Sequence, residues 1–307
     1  MKNLGTAVIG CGYWGPNITR NLNTISDLKY VCDLDPDLAQ AQADKYPGVE
    51  VASIETILSD NTVNAVAIVT PPSTHLAIAR LCLMAGKHIF VEKPLAASDS
   101  DASQLLSLSR TFSHLTCCVG HIFVFSPEIL ELKRLIDSGK VGKVKAINIS
   151  RLNWGKFQEC GVELDLLPHD LSIIQYLTGD NPVLLSRTSL DNESISVAGS
   201  SLYRLASGVD ALVNYSWAHT EKVRKISILG TDGIIEYDMS KPKELAFWDQ
   251  RIIGENKPGI LKVLEVKDHS EPLRAELDFW LSLVAGINPE EVNRISFEHG
   301  YAVVSAI

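Results

Sequence analysis

Gly10-Cys11-Gly12-Tyr13-Trp14-Gly15 is the stretch that decides the fold. It stands directly after an apolar run, Gly5–Ile9, and directly before a helical pattern that opens at Pro16. A G-x-G-x-x-G in that setting marks the first turn of a dinucleotide-binding βαβ unit. The first glycine permits the tight turn, the second lets the backbone approach a pyrophosphate, and the third lets the helix pack close on the strand. The helix N-terminus adds free N–H groups and a positive dipole end. The next strand-like run, Lys29–Cys32, leads into Asp33, 18 residues after Gly15, where a carboxylate can accept from the adenosine ribose hydroxyls. Asp33, Asp35 and Asp37 lie together with no Lys or Arg among them. Such a cluster repels a 2′-phosphate, so NAD is expected rather than NADP. Gly10, Gly12, Tyr13, Trp14, Gly15 and Asp33 are the predicted cofactor contacts.

Outward from this turn, strand-like runs recur at Val63–Val69, His88–Val91 and Leu115–Val119. Helical patterns at Pro16–Leu22, Pro36–Lys45, Thr74–Ala85 and Ser98–Phe112 separate the runs. Ser73 or Thr74 is expected to cap the third helix, and Gly86 to close it. Strands this apolar, alternating with helices, predict a parallel sheet covered on both faces. Near residue 120 the texture changes. Ser126-Pro127-Glu128 opens a helix with Ser126 as N-cap. Strand patterns then follow in series at Lys143–Asn153, Val183–Leu190, Ser194–Leu205, Val209–Trp217, Arg224–Leu229 and Gly233–Tyr237. Short turns join several of them, which favours antiparallel pairing. Helices are expected at Asp165–Leu177 and Pro272–Ala285. The predicted fold class is an α/β Rossmann domain, residues 1–120, followed by an α+β domain, residues 121–307, with a largely antiparallel open-faced sheet.

The chain has 307 residues, a net charge of −9 and 46% hydrophobic residues, which suits two globular domains and excludes disorder throughout. Excess acid argues against nucleic acid as the partner. The longest purely apolar run, Ala65–Val69, falls far short of the roughly 20 residues of a membrane span. No leader is expected ahead of a strand pattern that begins at about Leu4. The six cysteines form no C-x-x-C pair and read as reduced thiols in a cytoplasmic protein. The histidines show no metal-ligand spacing with cysteines or carboxylates, so no metal is expected.

Two further segments end strands at the edge where ligands of such sheets bind. Thr70-Pro71-Pro72-Ser73-Thr74-His75 follows one strand, and Glu92-Lys93-Pro94 follows the next. Pro94 biases Lys93 toward an extended backbone, aiming its ammonium from the strand tip. In the second half, Asp165 and His169 stand four apart on one helical face. Pro168 is tolerated best in a helix's first turn, which places Asp165 near the N-cap. A histidine of near-neutral pKa, or a lysine lowered by burial, can accept the proton of an alcohol while hydride leaves the same carbon. Asp165 as an N-cap and His169 as a buried hydrogen-bonding residue account for the pair equally well by themselves.

The order Ala7-Val8-Ile9-Gly10-Cys11-Gly12, Thr70-Pro71 with His75, Ala85-Gly86-Lys87-His88 and Val91-Glu92-Lys93-Pro94-Leu95 resembles the glucose-fructose oxidoreductase / inositol dehydrogenase (Gfo/Idh/MocA) family over nearly the whole chain. The resemblance implies that Lys93 is a catalytic acid/base group, joined by Asp165 and His169. It also implies that Thr70, Pro71, His75 and Glu92 border the NAD site, and that Lys93, Ser126, Arg151, Asn153 and His169 meet the substrate. Arg151-Leu152-Asn153, Leu167–Asp170, Ser216-Trp217, Lys222–Arg224 and Tyr237-Asp238 resemble the nucleotide-sugar 3-dehydrogenases acting on UDP-N-acetylglucosamine. The chain departs from that subgroup at Ser126, where Asn is common, and at Leu164, where Trp is expected. By this resemblance the substrate is a sugar or nucleotide sugar, with Lys156, Lys222 and Arg224 as candidates to meet a diphosphate. Lys222, Arg224 and Lys225 equally suit a solvated face, and Trp154 and Phe157 suit either base stacking or a hydrophobic plug. The resemblance further implies a homodimer or homotetramer through the open sheet face. A free polyol such as inositol as substrate and a non-catalytic NAD-sensing regulator are the alternative readings.

Overall fold

The computed structural model describes residues 3–155, 158, 160–192, 195–241, 243–249, 259–287 and 292–307. Two units emerge, one of Met1–His121 with Leu273–Ser305, the other of Ile122–Pro272 with Ala306–Ile307.

The first unit is built on six parallel strands: β1 (Gly5–Ile9), β2 (Asp27–Cys32), β3 (Glu50–Val51), β4 (Ala65–Ile68), β5 (His88–Glu92) and β6 (Cys117–Gly120). They lie in the order β3-β2-β1-β4-β5-β6, which reverses direction between β1 and β4. That switch point opens a crevice at the strands' carboxyl ends. Helices α1 (Gly15–Ile25), α2 (Pro36–Ala43), α3 (Ile54–Ser59), α4 (His75–Met84) and α5 (Asp99–Thr111) connect the strands. β1 and β4 are buried at every position, as strands covered on both faces must be. Asp35 caps α2 by accepting from the Asp37 and Leu38 N–H groups, and Ser98 caps α5 through the Asp101 N–H. Neither predicted cap of α4 operates, because the Thr74 hydroxyl bonds instead to the Pro71 carbonyl at 2.7 Å. β3 and α3 leave no periodic mark along the chain, because β3 is two exposed residues and α3 buries only Ile57.

The second unit begins with α6 (Pro127–Asp137), β7 (Val144–Trp154) and α7 (Gly161–Thr178). It continues through β8 (Val183–Asn192), β9 (Ile195–Arg204), β10 (Asp210–Ser216), β11 (Ala218–Gly230), β12 (Ile234–Asp238), β13 (Glu244–Asp249) and β14 (Ile260–Glu265). The eight strands run β14-β13-β12-β11-β7-β10-β9-β8, antiparallel throughout except for the parallel pair β7/β10. α7 packs on β7, β9 and β10, over a face that carries Ile147, Ile149, Ala211, Val213 and Tyr215. The opposite face bears Leu152, Ser200, Leu212 and Asn214. α7 starts four residues earlier than expected, so Asp165 is not an N-cap and Pro168 lies inside the helix. Pro168 has no N–H for the Leu164 carbonyl, a local defect the helix tolerates beside buried Leu167 and Leu171. Ser126 precedes α6 but caps no N–H there; its hydroxyl donates to Glu128 Oε2 at 2.5 Å.

Two C-terminal helices, α8 (Pro272–Val284) and α9 (Phe297–Ser305), return to the first unit. Trp280 lies 5.5 Å from Phe90, centroid to centroid. Gly300 packs so tightly that an added Cβ would meet Val119 at 3.0 Å and Leu95 at 3.1 Å. Residues 273–305 therefore depart from the expected 121–307 division. Their apolar stripes announce burial without naming the surface that covers them. All six cysteines are free, and among the described residues no helix is long and apolar enough to cross a membrane.

α9 brings His299 into the interior, its ring 5.2 Å from that of His121, and burial holds it down at a pKa of about 3. A histidine kept neutral in the fold but free to protonate when unfolded costs stability as pH falls from about 6.5 toward that value. His299→Leu should remove this loss. Relative to the parent, the variant is expected to gain up to about 1.4 kcal/mol per pH unit between pH 6 and 4, read by urea titration at each pH.

Candidate active site

The glycine turn has the shape its sequence implies. Gly10 adopts φ +107°, and a Cβ there would meet the Val69 carbonyl oxygen at 2.5 Å. A Cβ on Gly15 would strike the Gly10 carbonyl oxygen, whereas one on Gly12 would meet nothing within 4 Å. The first and third glycines are thus demanded by the fold. The second guards open space in front of the α1 N-terminus, which is where a pyrophosphate fits. Asp33 closes the cradle. Its Oδ2 accepts the Cys11 N–H at 2.6 Å and its Oδ1 the Asp35 N–H at 2.9 Å, so the carboxylate is fixed to the turn. Tyr13 and Leu34 flank it as exposed side chains. These residues fit the adenosine and pyrophosphate of NAD.

The neighbouring strand ends are tied together by a residue expected to touch the cofactor. His75 is fully buried, with Nε2 at 2.8 Å from the Thr70 carbonyl oxygen and Nδ1 at 3.1 and 3.2 Å from those of Pro94 and Leu95. Burial lowers its pKa. His75 therefore joins the turn after β4 to the turn after β5, its ring buried between them. Thr70 shares a 2.7 Å hydroxyl bond with Thr74, next to Pro71. Glu92 Oε2 accepts the Lys93 N–H at 3.0 Å, and its carboxyl also bonds the Trp14 side chain. Burial raises Glu92 to about 7 against the opposing pull of Lys93. Trp14 thereby couples the glycine turn to the strand tip that carries Lys93, whose bond to Pro94 is cis.

In the second unit α7 presents Asp165 and His169 one turn apart. Asp165 Oδ2 accepts the Trp217 indole N–H at 3.1 Å, and the Phe123 ring stands perpendicular to His169 at 5.0 Å. The Asn153 amide and the Trp217 indole both border the space at Gly155, each 2.8 Å from where a Cβ there would be. Arg151 was expected at the substrate but is only 2% exposed; its Nε and Nη2 both donate to Asp170 Oδ1, at 2.9 and 2.6 Å. Register explains this: Arg151 lies opposite Arg224 and Tyr215 on the helix-covered face. Arg224 acts on Asp170 from the same side, away from a solvent-borne diphosphate, while Lys222 is exposed. Ser126 is also buried, its hydroxyl donated to Glu128, so Arg151 and Ser126 both have carboxylate partners within the second unit. Trp154 is exposed, and Lys156 and Phe157 lie outside the described residues. Trp217, Phe123 and Asp170 carried no sequence signal for these partnerships; the Trp217–Asp165 bond spans 52 positions. Among the described residues no His, Cys, Asp or Glu group is placed to hold a metal ion.

Residues 4–121 match the family model described as an oxidoreductase family with an NAD-binding Rossmann fold, and residues 129–236 match the GFO/IDH/MocA C-terminal domain. The UDP-N-acetylglucosamine 3-dehydrogenase of Acidithiobacillus ferrooxidans is 31% identical over 60% of this chain, a match spanning 57% of that protein's length. An inositol 2-dehydrogenase of Rhizobium meliloti is 29% identical over 72% of this chain and 70% of its own. A solved structure of the Acidithiobacillus enzyme superposes with a TM-score of 0.86 at 25% identity, covering 100% of this chain and 96% of that one.

Because Gly12 has room for a side chain, Gly12→Ala should leave the thermal midpoint of the free protein unchanged within about 2 °C. The methyl group would occupy pyrophosphate space, so NAD affinity should fall at least about tenfold, or 1.4 kcal/mol. Calorimetric titration and a melting curve on the same sample check both halves.

Proposed function

Because the chain belongs to the Gfo/Idh/MocA family of NAD-binding oxidoreductases, we propose that it oxidises a secondary hydroxyl of a sugar, the 3-hydroxyl of a nucleotide-linked hexose such as UDP-N-acetylglucosamine. The observation that carries this reading is the retention of Lys93 beside the glycine cradle together with the Asp165–His169 pair on one face of α7. A sensor of NAD would have no use for these proton-handling groups.

NAD, when bound, supplies the acceptor for the hydride that leaves the carbinol carbon. The chain's own residues do the rest. The glycine turn and Asp33 hold the dinucleotide, and Trp14 through Glu92 steadies the strand tip. Lys93 or His169 accepts the hydroxyl proton, and Asp165, held by the Trp217 indole, stands one helical turn from the imidazole. Asn153 is the polar side chain we assign to the sugar, and exposed Lys222 the cation for a diphosphate.

Free inositol is the second reading, favoured by the inward commitment of Arg151 and Arg224, which leaves fewer cations for a diphosphate. We also place the protein in a reducing compartment, the cytoplasm, on its six free thiols. Self-association is assigned to the sheet face opposite α7, where Leu152 and Leu212 face outward among small polar residues.

NADH formation measured side by side with UDP-N-acetylglucosamine, N-acetylglucosamine 1-phosphate and inositol separates the substrates. Turnover of inositol alone would overturn the nucleotide-sugar assignment. Lys93→Met and His169→Asn should each lower turnover roughly 100-fold while NAD affinity stays within about twofold. NAD should bind at least about tenfold tighter than NADP, and equal affinities by fluorescence titration would refute the role given to Asp33.

A further inference from the structure

One turn of α7 carries both His169 and the carboxylate that anchors its surroundings. We propose that Arg151 and Phe123 are positioning residues for His169: Asp170 pins the Arg151 guanidinium, the guanidinium backs the Phe123 ring, and that ring fixes the plane of the imidazole. The inference rests on the reading of His169 as a proton-handling group.

The contacts form a closed circuit. Asp170 Oδ1 accepts from Arg151 Nε at 2.9 Å and Nη2 at 2.6 Å. The Arg151 guanidinium carbon stands 4.7 Å from the Phe123 centroid. Phe123 in turn meets His169 at 5.0 Å with the two rings at 89°. Asp170 follows His169 in sequence, so the circuit leaves α7, crosses β7, passes through the short turn Ile122–Phe125 and returns to its starting helix. Asp170 is fully buried and Arg151 nearly so, which makes separating them costly.

Histidine needs such support because its ring torsion is broad and roughly two-fold, so helix geometry alone leaves the imidazole plane loosely set. The main chain at His169 is already held, its carbonyl accepting the Ser172 hydroxyl at 2.9 Å. The side chain is the part that needs a wall. A planar guanidinium can grip one carboxylate oxygen with two N–H groups while lying against an aromatic ring, a combination that lysine's point charge lacks. Charged groups packed about this stretch of α7 include Asp165 and Asp170 on the helix itself, Arg151 from β7 and Arg224 from β11, the last two both acting on Asp170. None of them substitutes for the ring contact of Phe123.

The full-length protein with labelled histidine tests this by NMR, the His169 signals being assigned by their loss in His169→Asn. Phe123→Leu should move the His169 ring signals and lower kcat with UDP-N-acetylglucosamine by roughly tenfold or more, with KM for NAD unchanged. Phe123→Tyr should restore both, and Arg151→Lys should fall between. In a His169→Asn background, Phe123→Leu should cost nothing further. His169 signals unmoved in both Phe123→Leu and Arg151→Lys would overturn the proposal, whatever the activity. Moved signals with unchanged kcat would support the positioning role and count instead against His169 as a proton carrier.

Discussion

The first unit depends on a contact that no side chain can share: the Gly15 α-carbon against the Gly10 carbonyl. With that approach, α1 starts close behind β1 and its N-terminal N–H groups face the space at the switch point. Gly10 bends the chain past Val69 and donates its own N–H to the Cys32 carbonyl at 2.8 Å, fixing the ends of β1, β2 and β4 relative to one another. Asp33 then falls where its carboxylate reaches the Cys11 N–H. Steric exclusion at two α-carbons therefore arranges the chemistry of a third residue 18 positions further on.

What could be read from the sequence was whatever leaves a periodic or positional mark. β4 is apolar throughout and β1 and β5 carry apolar runs, so all three stand out, as do the glycine turn and the acid after β2. β14 went unread because it is an exposed strand with no buried alternation, and β13, only six residues long, went unread although it buries Leu245 and Phe247 in alternation. Site residues divide in the same way. Lys93, Asp165 and His169 keep motif spacing, but spacing says nothing about which face of β7 Arg151 occupies, and that one-residue alternation turns it from solvent to interior. His75 keeps its motif position too, yet only the fold reveals that its two ring nitrogens face three carbonyl oxygens across two turns.

Other motif residues prove to be architectural. In Ala85-Gly86-Lys87-His88, Gly86 takes φ +74° to end α4, and Lys87 runs inward to donate from Nζ to the Asp60 and Val63 carbonyls, both at 2.8 Å. A buried ammonium is lowered in pKa by loss of water, and the two carbonyls replace part of that hydration. His88 Nδ1 accepts the Thr116 N–H at 2.8 Å, tying β5 to the chain entering β6. The signature thus stabilises the strand pair behind Lys93 rather than touching any ligand.

The return of α8 and α9 to the first unit makes the nucleotide-binding half discontinuous along the chain. During synthesis its six strands leave the ribosome ahead of residues 122–272, while Trp280, Phe297 and Gly300, which cover Phe90, Val119 and Leu95, emerge only after them. At about 5–20 residues per second, the stretch 122–272 separates the two events by roughly 8–30 s. Through that interval part of the parallel sheet's apolar surface stands uncovered. Translation speed across residues 122–272, none of which belongs to the nucleotide-binding unit, therefore sets how long that surface is open to chaperones or to aggregation.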